Sequence, residues 1–274
     1  MTTDAIIVGG GFAGLAAATY LARARRNVVV VDTRQPRNRF ADASHGFLGH
    51  DGSDPQQILA TARRQVAAYR TVRMIEGEAD DARIEDDGFS VTLSRAETLA
   101  ARKLILAFGL RDTLPAIPGV QERWGKTVLH CPYCHDIEFS DRQLGVLYRM
   151  PMSVHQAAIV AEWGPVTLYL NGHTLDDEGA ATMARRGVRV EAARVVGLDG
   201  ERTALSAVVL EDGRRSAIDA LYIAPESCLS SPLAARLGVT IEDGPMGPMI
   251  KTDADKMTSV RGVYAAGDIA RAPH

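Results

Sequence analysis

The chain has 274 residues, a formal net charge of -3, 46% apolar and 24% charged residues, a balance ordinary for a globular protein with one large core or two moderate ones. Charge this close to neutral gives no basic face for nucleic acid or anionic lipid. No apolar run is long enough to span a membrane and no charged-then-apolar leader opens the sequence, so the expectation is a two-domain cytoplasmic protein without nucleic-acid or membrane partners.

In chain order, residues 5–8 read as a short apolar strand, and Gly9-Gly10-Gly11-Phe12-Ala13-Gly14 follows. An alanine-rich helix then runs through Arg23, and residues 27–32 form a second strand ending in Asp32. The glycine spacing has a mechanical meaning: Gly9 permits a tight turn, Gly11 lets a pyrophosphate approach the helix N-terminus, and Gly14 lets helix and strand pack closely. Asp32 falls where a carboxylate would hold a ribose hydroxyl. With two strands, the helix and the acid in place, the pattern predicts a dinucleotide-binding unit.

Residues 37–54 form a polar loop whose glycine-rich part carries His45 and His50. Residues 55–69 read as an amphipathic helix with Ile58, Leu59, Ala62, Val66 and Tyr69 on one side. Short strands are expected within 72–93, and residues 103–109 form a buried strand running into a turn at Gly109. Pro115 and Pro118-Gly119 close the segment, placing a boundary near Gly119.

His130-Cys131-Pro132-Tyr133-Cys134-His135 sets two thiols one helical turn apart in a chain whose other cysteine is Cys228. Pro132 suits the first position of a helix, which makes Cys131 the N-cap, where the helix N-terminus favours a thiolate. A thiol near pKa 8.5 is a few per cent ionised at pH 7, and lowering it to about 7 makes about half of it reactive. Zinc is the competing reading, but adjacent His130 and Cys131 rarely converge on one ion and no second ligand pair appears. A structural disulfide would close too small a loop to constrain the unfolded chain. Thiol–disulfide exchange is therefore expected and no metal is; Cys228 reads as an ordinary buried thiol.

A second strand and helix unit follows, with strands at 144–148, 166–170, 188–190, 204–210 and 220–224 and a helix near 153–163. The chain then reaches Gly262-Val263-Tyr264-Ala265-Ala266-Gly267-Asp268.

The glycine turn at 9–14, the 104–109 segment with Pro118-Gly119, the Cys131–Cys134 pair and the 262–268 motif, in this order, resemble the thioredoxin-reductase-like branch of the flavin disulfide oxidoreductases. The resemblance covers nearly the whole chain. It implies an α/β fold with two Rossmann-like domains: an FAD domain from 1–118 and 245–274, and a smaller pyridine-nucleotide-type domain from 119–244 carrying the cysteines. It further implies that Gly109, Gly267 and Asp268 join Gly9, Gly11, Gly14 and Asp32 in binding FAD, with Asp268 on the flavin's ribitol. Cys134 would face the flavin and Cys131 would meet the external thiol or disulfide. A helix N-cap is the competing role for Asp268.

The departures from that family decide the expected chemistry. The second glycine fingerprint is replaced by Tyr148-Arg149-Met150-Pro151 after Leu144-Gly145-Val146-Leu147, and the basic cluster for a 2'-phosphate by Asn171-Gly172-His173. Bulky side chains block close approach of a pyrophosphate and Pro151 removes an amide donor, so a standard NADPH site is expected to be lost; a rebuilt site using Arg149 and His173 is the alternative. His135 stands where the reductases generally carry an acid, and Cys-x-x-Cys-His resembles the gliotoxin- and holomycin-type dithiol oxidases, which close small-molecule disulfides through FAD at the expense of oxygen. The resemblance makes His135 the general base that deprotonates the incoming thiol, although Asp136 replaces the glycine often found next. His45 and His50 are candidates for the substrate pocket, against a role in local loop hydrogen bonds; His155 is expected to be a packed or capping residue. The runner-up is a reductase acting on a disulfide or a thioredoxin-like protein, fed by ferredoxin, another flavoprotein or a rebuilt nucleotide site, and a third reading is a non-catalytic flavin redox sensor. In the family the last motif leads into a helix that helps form a dimer, so a further C-terminal segment and a homodimer are expected of the complete protein.

Overall fold

The computed structural model describes residues 3–244 and 247–270. By its internal contacts the chain divides into two compact units. The first contains residues up to Arg39, Gln56–Asp112 and the chain from Ser227 onward; the second contains Phe40–Pro55 and Thr113–Glu226.

In the first unit, the β-branched runs Ala5–Val8 and Val28–Asp32 are buried at every position, as strands covered on both faces must be. They sit inside a five-stranded sheet of order Val263–Ala265, Lys103–Leu106, Ala5–Val8, Val28–Asp32, Val72–Glu76, parallel throughout. Helices α1 (Phe12–Arg23) and α2 (Pro55–Ala67) cover one face through Leu15, Ala18, Leu59 and Val66 against Ile7 and Val30. The antiparallel sheet Ala79–Glu85, Gly88–Leu93, Thr98–Ala101 covers the other through Phe89 and Val91 against Ile6 and Leu104. Each such valine, leucine, isoleucine or phenylalanine side chain contributes about 1.5–3 kcal/mol when fully buried.

The second unit repeats the plan. A parallel sheet of order Arg189–Glu191, Val166–Tyr169, Leu144–Leu147, Ala220–Ile223, Val128–Leu129 packs α3 (Met152–Val160) and α4 (Asp177–Arg185) on one face through Ala157, Val160 and Met183. A three-stranded antiparallel sheet, Val195–Asp199, Ala207–Leu210 and Arg215–Ala217, lies on the other through Val195, Leu198 and Val208. The expected α/β architecture of two Rossmann-like domains is therefore present. Helix α4 was not anticipated, although its start is marked: Asp176 is the N-cap and its Oδ1 accepts from the Gly179 amide at 2.7 Å.

The boundaries differ from those expected. The crossings fall at 112/113 and 226/227 rather than at 118/119 and 244/245, and residue 245 itself lies outside the described residues. Pro118 and Gly119 are internal to the second unit, where Leu198 donates its amide to the Pro118 carbonyl at 2.9 Å. Leu233, Ala234, Leu237 and Val239 belong to the core of the first unit, which keeps residues 227–244 there. The loop at 40–55 groups with the second unit because Phe40 packs against that unit's core and Asp42 pairs with Lys126.

Among the described residues no helix is long and apolar enough to cross a membrane, and no three His, Cys, Asp or Glu side chains are grouped to hold a metal ion.

Candidate active site

The glycine turn sits between Ala5–Val8 and α1. Gly9 has φ +110°, which L side chains rarely adopt, and a Cβ on Gly14 would lie 1.9 Å from the Gly9 carbonyl oxygen. The close packing expected of Gly14 is thus a contact of helix with turn backbone. A Gly14→Ala variant is expected to lose about 1–3 kcal/mol by overpacking, read as a lower melting temperature in thermal unfolding; an unchanged value would mean that the turn relaxes at no cost. Gly11 is different. A Cβ there meets nothing within 4 Å, and α1 has no side-chain cap at its N-terminus, so the turn is open on the side from which an anionic ligand approaches a helix N-terminus.

Gly267 (φ +83°) lies against the first turn of α1, where its Cβ would come 3.0 Å from Ala13, so the expected residues of the last motif are brought to the glycine turn. Gly109 (φ +74°) turns the chain from Lys103–Leu106 into Leu110–Thr113 and accepts the Ser230 amide at 3.1 Å. Asp32 is buried at the end of its strand, where Oδ2 accepts from Arg63 Nη2 at 2.8 Å and Oδ1 from the Arg34 amide at 3.1 Å. Arg63 was not foreseen. A carboxylate offers about four acceptor positions, so Asp32 keeps capacity for a hydroxyl, and it lines a cavity of about 340 Å³ with Arg34, Arg63 and Met74.

Asp268 opens a short 3-10 turn, Asp268–Ala270, and its Oδ2 lies 3.5 Å from Arg37 Nη1. Arg37 in turn grips Asp112 with Nε at 2.8 Å and Nη2 at 2.5 Å. Ser227 Oγ donates to the same carboxylate at 2.9 Å. All four residues belong to the first unit, and the sequence reading found Asp268 alone among them. An open glycine turn, a helix N-terminus with no side-chain cap, Asp32 and Asp268 fit FAD: Gly11 and the N-terminus of α1 would hold its pyrophosphate, and the two carboxylates its sugar and ribitol hydroxyls.

In the second unit Cys131 and Cys134 form a disulfide with Cα atoms 5.4 Å apart. Cys131 is the N-cap and Pro132 the first residue of the helical segment, as expected, but that segment is only the 3-10 turn Pro132–Cys134. The macrodipole invoked to lower the Cys131 pKa needs a longer run of aligned peptides than three residues supply. His135 ends this turn and begins the next, Asp136–Phe139. Burial pushes the His135 pKa below its ordinary 6.5; Glu138 pulls it up and His45 pushes it down. His135 is consequently neutral and able to accept a proton at physiological pH.

His45 reaches the same segment, with Nε2 3.4 Å from Glu138 and Nδ1 3.7 Å from Asp51. His50 is exposed and packs against the Phe47 ring at 5.1 Å. Of the two loop histidines, His45 therefore joins the cysteine segment within this unit, and Glu138 is a charge the sequence reading missed. His155 is exposed rather than packed, and Cys228 is half-buried with its sulfur 3.5 Å from the Arg111 carbonyl. Helix faces and strand ends decide such burial, and neither is fixed by a lone residue in sequence.

The turn between Leu144–Leu147 and α3 contrasts with the first. Ser153, fully buried, accepts the amides of Arg149 at 3.1 Å and Met150 at 3.4 Å. The Arg149 side chain is held by the Thr113 carbonyl at 3.1 Å and by Glu226 at 3.3 Å. His173 packs on the Tyr148 ring at 5.0 Å. Arg149 and His173 are thus both engaged by contacts within the protein.

Two parallel-sheet units, an open glycine turn in one and a Cys-x-x-Cys disulfide in the other, define a two-domain flavin-type disulfide oxidoreductase. The family model described as pyridine nucleotide-disulphide oxidoreductase matches residues 3–274. Thioredoxin reductase tcpT of Claviceps purpurea is 36% identical over 284 residues, covering 97% of this chain and 86% of that protein. Among solved structures, an oxidoreductase from Agrobacterium tumefaciens superposes with a TM-score of 0.93 at 44% identity over 99% of this chain and 91% of that one. HlmI superposes with a TM-score of 0.91 at 40% identity, over 98% and 85%. The chain belongs to the pyridine nucleotide-disulphide oxidoreductase family, as a thioredoxin-reductase-like FAD flavoprotein.

Proposed function

We propose that this flavoprotein oxidises a small-molecule dithiol to a disulfide with oxygen as the final acceptor, and does not draw electrons from NADPH through a standard site. The observation that carries the reading is Ser153: its hydroxyl takes the amides of Arg149 and Met150, donors that a nucleotide-binding turn must leave free for phosphate. Side chains at 148–151 add bulk where glycine is needed for backbone approach.

In the proposed reaction a substrate thiolate attacks Cys131 Sγ, the Cys131–Cys134 bond breaks, and Cys134 leaves as a thiolate. The second substrate thiol then attacks the mixed disulfide, releasing the cyclic disulfide and leaving Cys131 reduced. Each substrate thiol must lose a proton. His135 Nδ1 or Nε2 accepts it, since burial keeps that imidazole neutral. When bound, FAD would supply the two-electron acceptor for the Cys131–Cys134 pair, with oxygen as the proposed final acceptor.

A second reading has support in the similarity to thioredoxin reductase tcpT of Claviceps purpurea: electron flow in the opposite direction, from another donor to a disulfide or a thioredoxin-like protein. Anaerobic titration of the holoenzyme followed by its visible spectrum separates the two. A small dithiol such as dithiothreitol should bleach the flavin, and air should restore the colour with one peroxide formed per dithiol. Bleaching by stoichiometric NADPH would sink the oxidase reading. A redox sensor would bleach without turning over. The homodimer expected of the complete protein is proposed here as well, and an elution volume on a sizing column at the monomer mass would overturn it.

A further inference from the structure

The contacts around Arg37 point to a role that the fingerprint does not assign. Its guanidinium is fixed by a two-pronged grip on Asp112, at 2.8 and 2.5 Å, with Ser227 Oγ 3.2 Å from Nη2. Asp112 and Ser227 are themselves buried, at 8% and 7% exposure, and Ser227 donates to Asp112 at 2.9 Å. A planar fork held in this way can present its remaining nitrogen in one direction only. That nitrogen, Nη1, lies 3.5 Å from Asp268 Oδ2.

We propose that Arg37 is a positioning residue for the bound cofactor, acting through Asp268: Asp112 and Ser227 aim the guanidinium, and the guanidinium holds the Asp268 carboxylate where it accepts a hydrogen bond from the ligand. This rests on the reading of Asp268 as a cofactor ligand. The Asp268 side chain is 42% exposed, and a fixed guanidinium beside a partly exposed carboxylate narrows the orientations it can take. Without Arg37, Asp112 would also lose the Arg37 counter-charge. Lysine at position 37 would supply the charge but not the two-pronged grip, so it should restore the function in part.

The test measures the FAD dissociation constant of the apoprotein by flavin fluorescence for Arg37→Met, Arg37→Lys, Asp268→Asn and the double variant Arg37→Met/Asp268→Asn. Asp268→Asn and Arg37→Met are each expected to weaken binding about tenfold or more, the scale of a lost charged hydrogen bond. Arg37→Lys should fall between Arg37→Met and wild type, and the double variant should bind no more weakly than Asp268→Asn. Additive losses in the double variant would mean that Arg37 acts independently of Asp268, and would overturn the proposal. So would a lower melting temperature of the apoprotein with an unchanged dissociation constant, which a purely structural role predicts. Wild-type affinity in Asp268→Asn would remove the underlying reading of Asp268, whereas weakened Asp268→Asn beside unaffected Arg37→Met would defeat the Arg37 role alone. If Arg37→Met does not fold, Asp112→Asn replaces it, loosening the grip while keeping the arginine. Its smaller loss of affinity should vanish in the Asp268→Asn background, and persistence there would count against the proposal.

Discussion

Cys134→Ser holoenzyme is expected to lose dithiol turnover by about 10³-fold or more, the scale on which removal of a covalent participant acts. The pair is a disulfide closed between Cα atoms 5.4 Å apart, and in the proposed exchange each sulfur has a role the other cannot fill at the same time. The two cysteines should nevertheless fail differently. With serine at 134, Cys131 can still exchange with an oxidised probe and remain trapped as a mixed disulfide, because the resolving sulfur is gone. With serine at 131, the sulfur proposed to meet substrate is missing and no adduct should accumulate. Oxygen consumption reads the turnover and intact-mass spectrometry reads the adduct. A Cys134→Ser enzyme that still consumed oxygen with dithiol would contradict both the oxidase and the reductase reading.

Legibility in the sequence followed the range of the interactions. The first strand, glycine turn, helix and Asp32 are local, and each of their constraints lies within about 30 residues, so spacing alone placed them. Helix α4 was equally local and its N-cap at Asp176 was readable, but no motif drew attention to it. Cys131 as a cap before Pro132 was also legible, whereas the length of the segment was not: the chain turns again at His135, and a three-residue 3-10 turn replaces the helix on which a dipole argument depends. The charges that set the environment of the named residues are long-range. Arg37 meets Asp112 across 75 residues and Ser227 across 190, and His45 meets Glu138 from a different loop. No periodicity or spacing rule joins such pairs; only the packing of sheets brings them together. The altered turn at 148–151 lies between these cases. Its bulk was readable, but that Ser153 takes the turn's amides could be known only from the rotamer of one buried hydroxyl.

His135→Asn should lower dithiol turnover about 10²- to 10⁴-fold at neutral pH, the usual contribution of a general base. Asparagine keeps a polar side chain of similar reach but accepts no proton in this range. The pH profile carries more information than the rate. Burial, assisted by His45 and opposed by Glu138, holds the His135 pKa below 6.5, so its base form persists below that pH. Wild-type activity should therefore hold as the pH falls to 6.5 and decline only on further acidification, as the imidazole gains its proton. In His135→Asn that acid limb should vanish, and the residual rate should instead rise with pH as the substrate thiols ionise unaided toward about 8.5. Glu138→Gln shifts the same group in a defined direction. It removes the interaction that favours imidazolium, lowers the His135 pKa further and moves the acid limb to still lower pH, while leaving the residue itself in place. An acid limb that persists unchanged in His135→Asn would assign the proton to another group and remove His135 from the chemistry.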